Sequence, residues 1–172
     1  MWNRSQPSKY QKWYNRGVEK HLRYIRYLFF HKLYVGQECF KRGLYWRGLW
    51  HDLDKFVPSR WNAYAEFFYG GRRETDPQSV KEAFVISWMR HAARNDHHWQ
   101  YWVSISDNGR IRPHEMSRVA RKEMLCDWIG AHKAVGGHNL LEWYKERALT
   151  IPLAPKTKRW IETELENLYK ES

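Results

Sequence analysis

Apolar residues recur along this chain at helical spacing, in seven stretches separated by glycine, proline or polar runs. Tyr24, Tyr27, Leu28, His31 and Val35 share one face of a 3.6-residue repeat. They predict a long helix from Tyr10 or Val18 to Arg42, stopped by Gly43. A short helix from Leu44 is expected to carry Trp46, Leu49, Trp50 and then His51-Asp52, until Val57-Pro58 breaks it. Ser59 is placed to cap a third helix through Trp61, Tyr64, Phe67 and Phe68. Residues 70–77 read as a loop, with Asp76-Pro77 as cap and first-turn residue of a fourth helix. On that helix Val80, Phe84, Ser87, Trp88 and His91 share a face, and it is expected to end near Asn95. Residues 103–112 alternate around Asn108-Gly109, the pattern of a small β-hairpin. Pro113 then opens a fifth helix to about Ala134, with Met116, Ala120, Glu123, Met124, Asp127 and Ala131 on one side. Helices over 139–149 and 156–170 follow. The expected fold is all-α, a compact helical bundle with one hairpin at about 103–112. One domain is expected over 1–172, with residues 1–9 flexible and a C-terminal helix within 150–172 packing on the bundle.

Composition narrows the class. At 172 residues and 42% hydrophobic, the chain can bury one substantial core and is not disordered. No apolar leader opens it, and the most apolar stretch, Tyr24 to Val35, is broken by Arg26, His31 and Lys32. A soluble, cytoplasmic protein without a membrane partner is expected. Cys39 and Cys126 have no paired or CxxC spacing and read as buried, reduced thiols. The net charge of +11 is lopsided: residues 1–60 carry 13 Lys/Arg against 4 Asp/Glu, the other 112 carry 17 against 15. A basic half attracts an anionic partner, such as a nucleotide or a nucleic-acid backbone. Eleven Trp and eleven Tyr add enough aromatic surface to make a homodimer plausible.

The chemistry lies in a scattered set: His31, His51-Asp52, His91, His97-His98 and Asp127. Imidazole and carboxylate groups on four segments can converge on two metal ions, with the Asp52 carboxylate between them. His31, His91 and Asp127 each fall on the apolar face of a separate helix, where an uncompensated polar group is costly. Asp127, set in Met-Leu-Cys-Asp-Trp-Ile, has no evident solvent role. A metal would explain all of them together; separate ion pairs would need a partner for each. The pattern points to a metal-dependent hydrolase.

The order H…HD…H…HH…D resembles the HD-domain metal-dependent phosphohydrolases, especially dinuclear members such as the HD-GYP cyclic-dinucleotide phosphodiesterases and the HD nuclease domain of CRISPR helicase-nucleases. The segments His31-Lys-Leu-Tyr-Val, Trp46-Arg-Gly-Leu-Trp-His-Asp-Leu-Asp-Lys-Phe, Asn95-Asp-His-His-Trp-Gln-Tyr-Trp and Glu123-Met-Leu-Cys-Asp-Trp also resemble, over about residues 20–155, a family of small bacterial and phage proteins with no established activity. The superfamily resemblance implies an all-α bundle with metals buried between its helices. It implies that His31, His51, Asp52 and Asp127 hold one divalent transition metal, and that Asp52 bridges to a second held by His91, His97 and His98. Iron, manganese, cobalt, nickel and zinc all suit such ligands. One of His97 and His98 could instead donate a proton or support a ligand. His21, about 80° round the helix from His31, is a weaker rival for the first ligand. In the HD-x-x-K pattern, Lys55 would hold substrate phosphate beside Asp52. Arg90 and Arg94 flank His91 as further phosphate candidates. Glu123 would support a ligand histidine. Asp54 reads as structural, and His114, His132 and His138 as surface or capping residues.

The implied activity is that of a phosphodiesterase, nucleotidase or nuclease, in which metal-activated water attacks the phosphorus of a nucleotide or other phosphate ester. No phosphate-cradling glycine loop is present in the sequence, and this chemistry needs none. Two other readings stay open. The same scaffold resembles HD-fold di-iron oxygenases. The basic half, with Arg16, Lys20 and Arg23, also suits a nucleic-acid-binding protein, which would leave the His/Asp set unexplained.

Overall fold

The computed structural model describes residues 9–71, 77–137 and 139–170. Its elements run α1 (Lys9–Lys41), α2 (Tyr45–Trp50), α3 (Pro58–Tyr69), α4 (Gln78–Ala92), β1 (Val103–Ile105), β2 (Ile111–Pro113), α5 (Arg118–Ala134), α6 (Leu140–Arg147) and α7 (Pro155–Lys170). Short 3₁₀ turns cover Leu53–Phe56 and Trp99–Trp102. The fold is therefore mainly α-helical with one small hairpin, as the periodicity predicts.

The inward face of α1 organises the molecule. Tyr24 and Leu28 enter an apolar cluster with Tyr64 and Ala65 of α3. Val35 and Cys39, further along, enter another with Cys126 of α5. His31 lies on the same buried face between the two. A polar layer is thus inserted between two apolar ones, and every atom in it must find a partner. A third cluster, centred on Met124, Leu125, Ile161 and Leu165, fixes α5 against α7. The opposite face of α1 exposes Leu22, Ile25, Phe29, Leu33 and Phe40.

Several boundaries differ from the sequence expectation, each for a local reason. The helix expected to carry the His51-Asp52 doublet ends at Trp50, so both residues lie just beyond it. Asp52 takes a left-handed conformation, φ 55° and ψ 23°, which turns the chain into the following 3₁₀ turn. Pro58 occupies the first turn of α3 behind Val57; its fixed φ suits that place, and Ser59 is not the cap. Pro77 stands at the N-cap of α4 rather than in its first turn, and Asp76 lies outside the described residues. Pro113 closes β2 instead of opening a helix. The cap of α5 is Ser117, whose hydroxyl accepts the Ala120 amide at 3.1 Å. Of the expected flexible start, residues 1–9, all but Lys9 fall outside the described residues, as does His138, and Lys9 is the first residue of α1. In the hairpin Val103 pairs with Pro113 and Ile105 with Ile111.

Candidate metal centre

All seven predicted ligands converge. His31 comes from α1, His51 and Asp52 from the turn after α2, His91 from α4, His97 and His98 from the turn after α4, and Asp127 from α5. Every one is buried. One group joins His31, His51, Asp52 and Asp127, and a second joins Asp52, His91, His97 and His98; within each, one potential ligand atom per residue lies within 4.8 Å of the others.

Asp52 divides its two oxygens between the groups. Oδ2 is 3.4 Å from His31 Nε2 and 3.3 Å from His51 Nε2. Asp127 Oδ1 is 3.3 Å from those same two nitrogens. Oδ1 of Asp52 faces the other way, 3.3 Å from His91 Nε2 and 3.4 Å from His97 Nε2. His98 Nε2 closes the second group 2.8 Å from His91 Nε2. Ligands bound at about 2.0–2.1 Å around a tetrahedral ion stand about 3.4 Å apart along its edges. Most of the distances here have that spacing.

Hydrogen bonding explains why the imidazoles present bare nitrogens. His51 Nδ1 is 3.0 Å from Glu123 Oε1, and His91 Nδ1 is 2.8 Å from Asp54 Oδ1. A carboxylate only accepts, so in the neutral form of each ring the proton sits on Nδ1 and Nε2 is left as a lone pair, the form that a metal would bind. Those lone pairs then point at carboxylate oxygens. His31 Nε2, His51 Nε2, His97 Nε2 and Asp52 Oδ1 are buried without a hydrogen-bond partner, and Asp52 Oδ2 has the Lys55 ammonium alone. Each such group costs about 1–3 kcal/mol when left unsatisfied. Electron-rich atoms facing one another across little more than 3 Å call for a cation between them, and the residues fit two divalent transition metals.

Electrostatics agree. Burial opposes ionisation of Asp52 and Asp127, yet His51 and Lys55 hold the Asp52 carboxyl well below its ordinary value, and His51 and His31 do the same for Asp127. Burial also opposes a charge on His51, but Asp52, Asp127 and Glu123 raise it well above its ordinary value. A field that draws a proton onto His51 would also hold a metal cation. Burial lowers His31, and burial followed by the charge of His97 pushes His98 well down, so both imidazoles stay neutral.

The surrounding residues were only partly legible in the sequence. Glu123 supports His51, as expected, and also lies 3.4 Å from His97 Nδ1, so one carboxylate steadies a ligand of each group. Arg47 of α2 anchors Glu123 at 2.8 Å and also pairs with Asp96. Asp54, read as structural, is the orienting partner of His91 and is itself held by Arg60 at 2.6 Å. Asn95 donates to the His91 carbonyl at 2.8 Å. Lys32 of α1 donates to the Leu49 and His51 carbonyls at 2.8 and 3.1 Å, tying the end of α2 to α1. Lys55 is buried, its Nζ 2.5 Å from Asp52 Oδ2. A cavity of about 360 Å³ opens onto His51, Asp52 and His97, and Arg94 lines it. Arg90, exposed on α4, is not among its lining residues. His21 accepts the Trp61 indole N–H at 2.9 Å and takes no part in the centre. His114 pairs with Ser104 at the hairpin, and His132 packs on Gly137.

The chain belongs to a family of unknown function, DUF5662, whose match spans residues 20–167. No curated protein and no solved structure matches it.

Proposed function

We propose that this member of the DUF5662 family is a metal-dependent phosphohydrolase with a dinuclear site. The observation that carries the reading is the division of the buried Asp52 carboxylate, one oxygen toward each ligand group, with Oδ1 lacking a hydrogen-bond partner and Oδ2 paired with Lys55. Two divalent transition metals bound there would acidify water and draw charge from a phosphoryl group. The protein's own part is positional. Glu123 and Asp54 hold the Nδ1 protons of His51 and His91, which fixes each ring's tautomer and direction. Lys55 keeps its proton, because Asp52, Tyr27 and Asp127 outweigh the cost of its burial. Its ammonium can therefore offset charge on a phosphate oxygen beside Asp52. Arg94 at the opening adds a second cation on the approach. The basic half of the chain favours an anionic substrate, a nucleotide or another phosphate ester.

The test is hydrolysis of a panel of phosphate mono- and diesters by protein reconstituted with manganese, iron, cobalt or zinc, run with and without oxygen. Anaerobic, metal-dependent phosphate release that Asp52→Asn abolishes and Lys55→Met lowers at least about tenfold supports the reading. Turnover that requires iron and consumes oxygen would replace it with oxygenase chemistry. Nucleic-acid binding that survives chelation and Asp52→Asn, without turnover, would replace it with a binding role.

A further inference from the structure

The outer face of α1 carries an apolar pattern that the fold leaves in water. Val18, Leu22 and Ile25 recur eleven residues later as Phe29, Leu33 and Gly36, and Phe40 opens a third round. Eleven residues make three turns of an α-helix, so these positions form one nearly straight stripe about 33 Å long. Beside it, Tyr45 of α2 meets Phe40 edge-on, ring centroids 5.3 Å apart. Leu49 and Phe56 close a groove of about 1070 Å³ along the stripe. These three side chains and the six of the stripe are each 42–64% exposed. Together they present on the order of 800 Å², the share that each partner brings to an interface of standard size. Monomers rarely leave so large an apolar patch uncovered.

Gly36 says what covers the stripe. A glycine inside a helix destabilises it relative to alanine. Packing within the chain does not require this one, because a Cβ at Gly36 would meet no atom within 4 Å. Gly48 differs, since its Cβ would fall 2.9 Å from Cys39 Cβ. Gly36 therefore leaves a hole in the lining of the groove, open to the outside. The stripe also holds the matching knob. Read backwards about Phe29, it sets Phe40 against Val18, Leu22 against Gly36 and Ile25 against Leu33. Large meets small toward both ends, and Phe29 meets its own copy. Turned end over end, the helix is its own complement, as a twofold interface requires. A lipid surface would gain no apolar contact from a glycine in the stripe and needs no such pairing. Charge opposes contact between two basic halves less than composition suggests. Arg23 pairs with Glu19, Lys20 with Glu66, and Lys41 and Arg42 with Glu38.

We propose that two copies of this chain form a twofold dimer, their α1 helices packed antiparallel along the stripe, with Leu22 of each filling the hole at Gly36 of the other. The groove shares no lining residue with the cavity over His51 and His97, so the interface and the opening of the metal centre use different surfaces. The dimer does not depend on the phosphohydrolase reading.

The test is sedimentation equilibrium of the full chain from about 0.5 to 50 µM, where a dimer of Kd about 1 µM or tighter is expected. Gly36→Leu should weaken it at least about tenfold, although the change adds apolar surface and a better helix former, because the hole is filled. Phe29→Glu sets like charges face to face on the twofold axis and should give a monomer; both variants should keep the wild-type circular dichroism. Register is read by cross-linking with glutathione disulfide. Phe29→Cys should form a covalent dimer, whereas Leu22→Cys, whose two copies stand about 21 Å apart along the pair, should not. A wild-type monomer at every concentration, or a dimer that Gly36→Leu and Phe29→Glu leave unchanged, would overturn the proposal. Cross-linking of Leu22→Cys instead of Phe29→Cys would overturn the pairing. A monomer that cosediments with vesicles of phosphatidylglycerol and phosphatidylcholine, more strongly as Gly36→Leu, would assign the stripe to a lipid surface.

Discussion

Asp52 combines an unusual backbone with an unusual side chain. Among the described non-glycine residues only Asp52 has a positive φ, 55°, and its carboxylate joins both ligand groups. Aspartate and asparagine tolerate the left-handed region better than most residues, so Asp52→Asn preserves the turn while removing the charge. Alanine at this position would add backbone strain to ligand loss and blur the result. Glu123 offers a cleaner view of support without ligation. Glu123→Gln keeps the shape but weakens the hold on His51 and His97, and should lower metal affinity about 10–100-fold in a chelator competition while circular dichroism stays unchanged. Unchanged affinity would mean that the two rings are positioned without it. The seven candidate ligands were legible because imidazoles and carboxylates on apolar helix faces stand out against their neighbours. Asp54 was not. A helical wheel carries Asp54 away from Asp52, but the left-handed residue and 3₁₀ turn bring it under His91.

At the scale of elements, the centre depends on how closely α1 and α5 cross. A Cβ on Gly130 would fall 2.4 Å from Val35 Cγ2 and 2.7 Å from the Val35 amide nitrogen. Val35 is one turn beyond His31, and Gly130 is three residues beyond Asp127, so this contact sets the separation of two first-group ligands. Gly130→Ala should therefore cost about 1–3 kcal/mol in denaturant midpoint, the usual penalty of overpacking, and weaken metal binding as well. A midpoint at the wild-type value would show that the helices stand further apart. The helix order and the hairpin could be read from periodicity because each long helix buries one continuous stripe. Helix ends were less legible. Pro58 and Pro113 each permit either a helix start or an extended stop, and the surrounding packing decides between them.

Across the whole molecule, acidic groups are held ionised by arranged cations, and acid should reveal it. Burial would raise the Glu38 carboxyl, but hydrogen bonds from Lys133, Arg42 and Lys41 bring it down to about 2. Unfolded, it titrates near about 4.3, so its stabilising effect is full above that pH and is lost as the pH falls through about 2. Glu38→Gln should flatten the fall in stability over that window, measured by urea unfolding at successive pH values; an unchanged slope would assign the acid sensitivity elsewhere. No described helix is long and apolar enough to cross a membrane. The concentration of basic residues in the first 60 was visible from composition, whereas the apolar groove depends on α1 and α2 meeting and could not be read from either alone. The most direct test of the dinuclear centre is elemental analysis of the reconstituted wild-type protein beside Asp52→Asn, His31→Ala and His98→Ala. The predicted result is about two transition-metal equivalents per chain, nearly all lost in Asp52→Asn and about one lost in each histidine variant. Wild-type protein that retains no metal after reconstitution, or an Asp52→Asn variant that retains both equivalents, would contradict it.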